Sequence, residues 1–361
     1  EIDTLILTHA HIDHSGRIPK LVKDAFTGRL LTTHPTADLC RIMLLDSAHI
    51  QESQAEWETR KRKRQGKAPI EPLYTVQDAE MAMQYFHPVQ RDEMVELDPD
   101  LQIRFRNAGH ILGSSIVELW TRDGDEEIKA VFSGDLGQKD QLIIQDPHEI
   151  MSADHIFIES TYGDRNHRSF SASKEELLQA IMYSVQAGEK VLIPAFAVER
   201  TQEILYILAE FRRQGRLPEV PVYLDSPLAI KATEIFRQNT RDYDQDARDL
   251  ITQGMDPFEL PNVTFTSSTQ ESMALNAKQG PAIIIAGNGM CTAGRIVHHL
   301  KHNVWRPGCS VVIVGFQVAG STGRKLVDGA KHIKVLGEPV SVRAQIFTIG
   351  GFSAHADQSD L

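Results

Sequence analysis

The chain has 361 residues, enough for two or three domains and a sizeable core, and its 41% hydrophobic and 24% charged residues, with Gly and Pro spread along it, exclude disordered and fibrous classes. Lysine and arginine number 38 against 49 aspartates and glutamates, a net charge of −11, which argues against a whole-surface field for nucleic acid or anionic lipid but leaves room for a local cationic site. No apolar run approaches the roughly 20 residues of a membrane span, no basic-then-apolar leader is present, and Cys40, Cys291 and Cys309 are too few and too scattered for a disulfide framework or zinc-finger spacing, so a reducing cytoplasm is expected.

The chain opens at Glu1 inside an apolar run, without Met, and closes at Leu361 just after a His/Asp-rich stretch, and so reads as part of a longer protein. Its first 160 residues predict a strand-rich α/β unit, with strands near 2–8, 101–107, 115–121, 129–133 and 155–159 and a helix over 35–60. Directly after the first strand comes Thr8-His9-Ala10-His11-Ile12-Asp13-His14-Ser15-Gly16. On a helix these four ligand-type side chains would point around the barrel, so the cluster is expected as a loop wrapped around metal. Neutral imidazoles suit Zn²⁺, and the carboxylate lets a second cation sit close by. The run Arg60-Lys61-Arg62-Lys63-Arg64-Gln65-Gly66-Lys67 has two readings, a solvated helix end or a contact for an RNA backbone.

Two later loops punctuated by glycine add candidate ligands. His110 lies in Asn107-Ala108-Gly109-His110-Ile111-Leu112-Gly113-Ser114-Ser115, and Asp135 in Phe132-Ser133-Gly134-Asp135-Leu136-Gly137. Each alone would be an ordinary loop residue. After the first cluster, both are expected to complete a dinuclear set.

From 165 to 345 helix and strand alternate regularly. An amphipathic helix with Leu177, Leu178, Ile181, Met182 and Val185 precedes a strand over 191–196, a helix over 203–211 precedes one over 222–224, and strands follow over 281–286 and 310–315. This spacing predicts βαβ crossovers and a second domain built on a parallel sheet covered on both faces. The strand at 281–286 runs through a Gly-rich turn into a helix starting at Arg295. That geometry either aims backbone N–H groups and Arg295 at an anion or simply connects two elements. Gly320-Ser321-Thr322-Gly323-Arg324 is a weaker loop of the same kind, and His298, His299 and His302 read as packing or surface residues.

His9, His11, Asp13, His14, His110 and Asp135 resemble the metal motifs of the metallo-β-lactamase fold. Phe157-Ile158-Glu159-Ser160-Thr161-Tyr162-Gly163-Asp164-Arg165, Pro194-Ala195-Phe196-Ala197-Val198-Glu199-Arg200-Thr201-Gln202 and Asp225-Ser226-Pro227 are similar to landmarks of its β-CASP branch. So are Gly287-Asn288-Gly289-Met290-Cys291-Thr292-Ala293-Gly294-Arg295 and Gly350-Gly351-Phe352-Ser353-Ala354-His355-Ala356-Asp357. Along essentially its whole length the chain resembles prokaryotic relatives of the nuclease subunit of the mRNA 3′-end cleavage and polyadenylation factor.

The resemblance implies an α/β protein: a metallo-β-lactamase αββα sandwich over 1–164, an inserted β-CASP domain with a parallel α/β sheet over 165–345, and a return into the first domain over 346–361. It implies a zinc-dependent endoribonuclease acting on single-stranded RNA, with 5′-to-3′ exonuclease activity as a further capacity, no membrane partner and room for a homodimer. Two Zn²⁺, replaceable by Mn²⁺, would be divided so that His9, His11 and His110 hold one, Asp13 and His14 the other, and Asp135 bridges. A shared hydroxide would attack phosphorus in line, with Asp13 orienting it. His355 would protonate the leaving oxygen, with Glu159 holding its ring, while Arg295, Arg324 and Ser353 would contact phosphate.

Other classes fit less well. A DNA nuclease of the superfamily usually lacks the intact His355 motif, and a hydrolase of small esters or thioesters would not need so large an insertion. A non-catalytic subunit of a processing complex would be expected to have lost ligands, and a di-iron oxidoreductase of this fold typically has Glu at the position of His11. The sequence departs from the family pattern in two places: an N-terminal hairpin with a metal-proximal Asp is missing before His9, and a final His ligand would follow beyond Leu361. The second metal set is therefore expected to be incomplete in this sequence, with one tight and one weak zinc.

Overall fold

The first apolar run becomes strand β1 (Thr4–Ile6), which pairs in parallel with β2 (Arg29–Thr33), and β2 pairs in parallel with β3 (Phe86–Val89). The structure, a computed structural model, describes residues 2–361, so Glu1 of the expected first domain lies outside it. Two compact units divide the chain: residues up to Thr161 with Gln238–Asp242 and Asp360–Leu361, and Tyr162–Arg237 with Tyr243–Ser359.

In the first unit a second sheet runs in the order β4 (Met94–Asp98), β5 (Leu101–Asn107), β6 (Ser115–Asp123), β7 (Glu126–Phe132) and β8 (His155–Phe157), antiparallel except for β7 with β8. Leu31, Ile6 and Val89 from the three-stranded sheet meet Ile103, Phe105, Val117 and Val95 from the other in one core, the centre of the expected sandwich. Short helices α1 (Ile12–Ser15) and α2 (Ile18–Lys23) follow β1, and α4 (Val76–Ala82) precedes β3. The predicted helix over 35–60 is α3 (His34–Lys63), started by the Thr33 hydroxyl accepting from the Thr36 N–H and by Pro35 in the first turn. Its buried side chains, Thr36, Ala37, Leu39, Cys40, Leu44 and Ala48, lie mostly three or four apart, and Ala55 is the last of them. The sequence reading missed β2, β3 and β4. Pro88 hides β3, since a proline is tolerated only because β3 lies at a sheet edge.

The second unit carries the predicted parallel sheet, in the order β11 (Val263–Phe265), β10 (Val222–Asp225), β12 (Ala282–Ala286), β9 (Lys190–Pro194), β13 (Ser310–Ile313) and β16 (Gln345–Thr348), every pairing parallel. Helices α5 (Phe170–Gln186), α6 (Arg200–Arg213), α7 (Pro227–Gln238), α8 (Gln245–Thr252), α9 (Thr269–Ala277), α10 (Arg295–Asn303) and α11 (Thr322–Val327) connect the strands, and β14 (His332–Val335) with β15 (Glu338–Ser341) forms a hairpin. Leu192, Ile284, Val311 and Ile313 share a core with Ile296 and Leu300 of α10, while the alternate residues Val191, Ile193, Ile283 and Ile285 are equally buried. Both faces of the sheet are thus covered. The segment expected to return to the first domain from 346 stays with the second unit as far as Ser359, because β16 bonds along β13 as its sixth strand.

The five residues Gln238–Asp242 belong to the first unit although the chain on either side belongs to the second. Asp242 pairs with Arg91 at 3.0 Å and accepts the Gln145 N–H through its carbonyl, and Gln145 in turn donates to the Arg241 carbonyl. All three cysteines are buried free thiols, and among the described residues no helix is long and apolar enough to cross a membrane.

Candidate metal centre

His9 and His11 stand on extended chain beyond β1, but Asp13 and His14 occupy one helical turn, α1, instead of continuing as a loop. The Ser15 hydroxyl donates to the Ala10 and His11 carbonyls and closes that turn, which the period argument overlooked because it treated all four side chains as one element. The glycines beside His110 adopt φ of +64° at Gly109 and +81° at Gly113, a backbone that L side chains rarely take. At Gly134, beside Asp135, φ is +56° and a Cβ would meet the Thr8 side chain at 2.8 Å. The Asp135 loop can therefore lie against the His9 strand only because this position is glycine.

These three segments bring donors from His9, His11, His110 and Asp135 within 4.8 Å of one another. His110 Nε2 is 3.1 Å from His11 Nδ1. Asp135 divides its carboxylate: Oδ2 lies 3.4 Å from His9 Nε2 and 3.5 Å from His110 Nε2, whereas Oδ1 lies 3.4 Å from His14 Nε2. His14 Nε2 is also 3.6 Å from Asp13 Oδ2. All six ligands expected from sequence are thus in one neighbourhood. Burial opposes charge on Asp135, yet the bonds to His14 and His9 outweigh it and hold the carboxyl far below the usual carboxylate range. Burial lowers the His9 pKa despite Asp135, so its imidazole stays neutral, while the bond to Asp135 raises that of the more open His14.

A metal fits this donor set. His9 Nε2 is buried with only the 3.4 Å contact to Asp135 Oδ2 and no well-formed hydrogen bond, a costly state for a polar atom unless a cation takes its lone pair. Three imidazoles and a carboxylate within this reach are also the chemistry that zinc takes.

Around the donors lies a supporting shell in which Thr8, Asn107, Ser114 and Ser133 of the quoted motifs have no role expected from sequence. Thr8 Oγ1 lies 3.1 Å from His9 Nδ1 and fixes which ring nitrogen faces Asp135. The Ser114 hydroxyl accepts the N–H groups of His110 and Ile111, and Asn107 donates to the Gln145 and Asp146 carbonyls. Arg91 reaches the Ser114 carbonyl at 3.3 Å. Glu159 accepts the Leu136 N–H at 2.6 Å and donates its own N–H to Ser133, which locks the Asp135 loop from both sides. A hydroxyl beside each ligand motif was the available signal.

The other expected residues lie in the second unit. The His355 N–H donates to Ser353 Oγ, its carbonyl lies 3.1 Å from His167 Nε2, and its ring is 6.2 Å from that of Tyr162. Arg324 pairs with Asp328 at 2.9 Å on an exposed surface. Arg295 is turned inward: it donates to Asp225 Oδ1 and to the carbonyls of Thr266 and Ser267, so much of the guanidinium expected at a phosphate is committed to the fold. The turn before it also uses its own N–H groups, with Asn288 bonded to Ala293, Cys291 to Asn288, and Ile296 to Gly287.

Asp225 is the hub of that region. Oδ2 accepts from His299 and Ser272, each at 2.6 Å, and Oδ1 from Thr266 and Arg295. His299, read from sequence as packing or surface, is therefore a buried partner of a carboxylate. Burial opposes the charge on Asp225, but four donors hold its pKa at about 2. Because the folded carboxyl is the stronger acid, its contribution is complete above the unfolded value of 3.8 and is lost as pH falls through about 2. Asp225→Asn is expected to destabilise the second unit by about 3–5 kcal/mol, since Arg295 and His299 lose the charge they pair with. Denaturant unfolding at pH 7 checks this; a loss below about 1 kcal/mol would show the network to be dispensable.

A family model described as Beta-Casp domain matches residues 201–326, and one described as Zn-dependent metallo-hydrolase RNA specificity domain matches 339–361. The chain is similar to Ribonuclease TTHA0252 of Thermus thermophilus, with 36% identity over 361 residues, all of this chain and 78% of that protein. It is also similar to the Transcription termination factor FttA of Thermococcus kodakarensis (33% identity) and of Methanothermobacter thermautotrophicus (32%), over all of this chain and 54% and 55% of theirs. The chain thus spans about half the length of these archaeal relatives.

Proposed function

We propose, from the premise that this chain belongs to the β-CASP family of metallo-β-lactamase-fold ribonucleases, that it is a metal-dependent hydrolase cutting phosphodiester bonds of single-stranded RNA endonucleolytically at a pair of zinc ions. The observation that carries the pair is the divided Asp135 carboxylate, one oxygen toward His9 and His110 and the other toward His14. The match of 339–361 to an RNA specificity domain supports RNA as substrate.

Zinc bound there supplies Lewis acidity and a water acidic enough to attack phosphorus at neutral pH. The chain's own groups do the rest. His9, His11 and His110 would hold one cation and His14 and Asp13 the other, with Asp135 placed to serve both. Thr8 keeps the His9 lone pair directed inward, and Glu159 acts as a positioning residue that keeps the Asp135 loop from drifting. Asp13, the most open of the set with 76% of its side chain exposed, is free to orient the attacking water. His355 is assigned the proton for the leaving oxygen on the strength of its motif, and Ser353 and Arg324 are assigned contacts to phosphate.

Removing metal with a chelator is expected to abolish cleavage of single-stranded RNA, and Zn²⁺ or Mn²⁺ to restore it. Undiminished cleavage by protein shown to be metal-free would overturn the assignment.

A further inference from the structure

Past Ala55, its last buried residue, α3 continues for about two more turns. On this projecting end Trp57 is 59% exposed, and Arg60, Lys61, Lys63 and Arg64 are exposed, as is Lys67 on the turn beyond. Trp57, Lys61 and Arg64 recur at i, i+4 and i+7 on one helix face, with Lys61 Nζ 5.3 Å from the Trp57 ring centre. The end is held in place: Thr59 Oγ1 accepts the Ile70 N–H at 3.0 Å, and Arg62 donates to the Ala68 carbonyl at 2.8 Å. Among the described residues the run makes a single ion pair, Lys61 with Glu58 at 3.8 Å.

The helix dipole accounts for a cation or two in a last turn. It does not account for so many cations without carboxylate partners in a chain of net charge −11, nor for an exposed indole among them. A cationic surface interleaved with an aromatic ring is the chemistry that holds single-stranded nucleic acid, phosphates on the cations and a base on the ring. We propose that the C-terminal end of α3 is a landing site for single-stranded RNA, separate from the residues of the metal centre. This rests on the reading of RNA as the substrate.

The test titrates fluorescently labelled oligouridylate onto the metal-free protein across a salt series, so that binding is read without cleavage. Replacing Arg60, Lys61, Lys63, Arg64 and Lys67 by Gln, with Arg62 kept for its structural bond, should weaken binding about 10- to 100-fold at low salt and flatten the salt slope by about 0.7 per lost contact. Trp57→Ala should cost about tenfold, and Trp57→Phe should recover most of it. Wild-type affinity and slope in both variants would overturn the proposal. So would variants that lose binding to phosphatidylglycerol vesicles while keeping their affinity for RNA. Hydrolysis of bis(p-nitrophenyl) phosphate by the unaltered, metal-loaded protein reads the centre by itself, so failure of the hydrolase reading is told apart from failure of the landing site.

Discussion

Asp135→Ala is expected to lower RNA cleavage by about a thousandfold or more and to reduce bound zinc at both positions. Outer-shell partners of a metal typically cost about 10- to 100-fold when removed, and Asp135 stands closer than that, with one carboxylate oxygen toward His9 and His110 and the other toward His14. Its loss also leaves His9 Nε2 and His110 Nε2 buried against no acid. Zinc content by atomic absorption, set beside cleavage rate, checks the claim. Full occupancy of both positions in the variant would show that Asp135 does not bridge.

His355→Ala is expected to lower the cleavage rate by about 10²- to 10⁴-fold, the usual contribution of general acid catalysis, while zinc content stays at the wild-type level. The diagnostic readout is the leaving group: a substrate whose leaving oxygen is already a weak base needs little protonation, so the variant should recover most of its rate on a p-nitrophenyl ester. A variant that loses zinc in proportion to rate would make His355 a ligand instead.

How much of this is legible in the sequence depends on how local the chemistry is. His9, His11, Asp13 and His14 lie within six positions, so their spacing alone marks them, whereas His110 and Asp135, each beside glycine, are ordinary loop residues until set beside that cluster. The bridging place of Asp135 is what the family resemblance implies, but which of its oxygens faces which ring is not legible, because that depends on how three separate segments fold together. The parallel sheet is legible because β9, β12 and β13 are mostly apolar, broken only by Lys190 and Ser310 at strand starts, and are buried along their whole length. β3 is hidden by Pro88, and for β16 what the sequence does not show is its partner, since pairing with β13 is a long-range contact. The Asp225–His299 pair joins residues 74 positions apart, and no periodicity spans that distance. Arg295 shows the opposite failure: the turn looked like an anion cradle, but a carboxylate of the same unit had already claimed the guanidinium.

Gln238–Asp242 makes the first unit discontinuous in a way that bears on its inheritance. A fragment ending at Thr161 would lack Asp242, leaving Arg91 with the Ser114 carbonyl but without the acid that anchors it, at the loop that presents His110. An exchange of the second unit therefore carries these five residues with it, and the first unit keeps its brace only where they fit Arg91 and Gln145. Any donor module must bring its own five-residue splice that fits the recipient's Arg91 and Gln145, or the metal loop loses a brace.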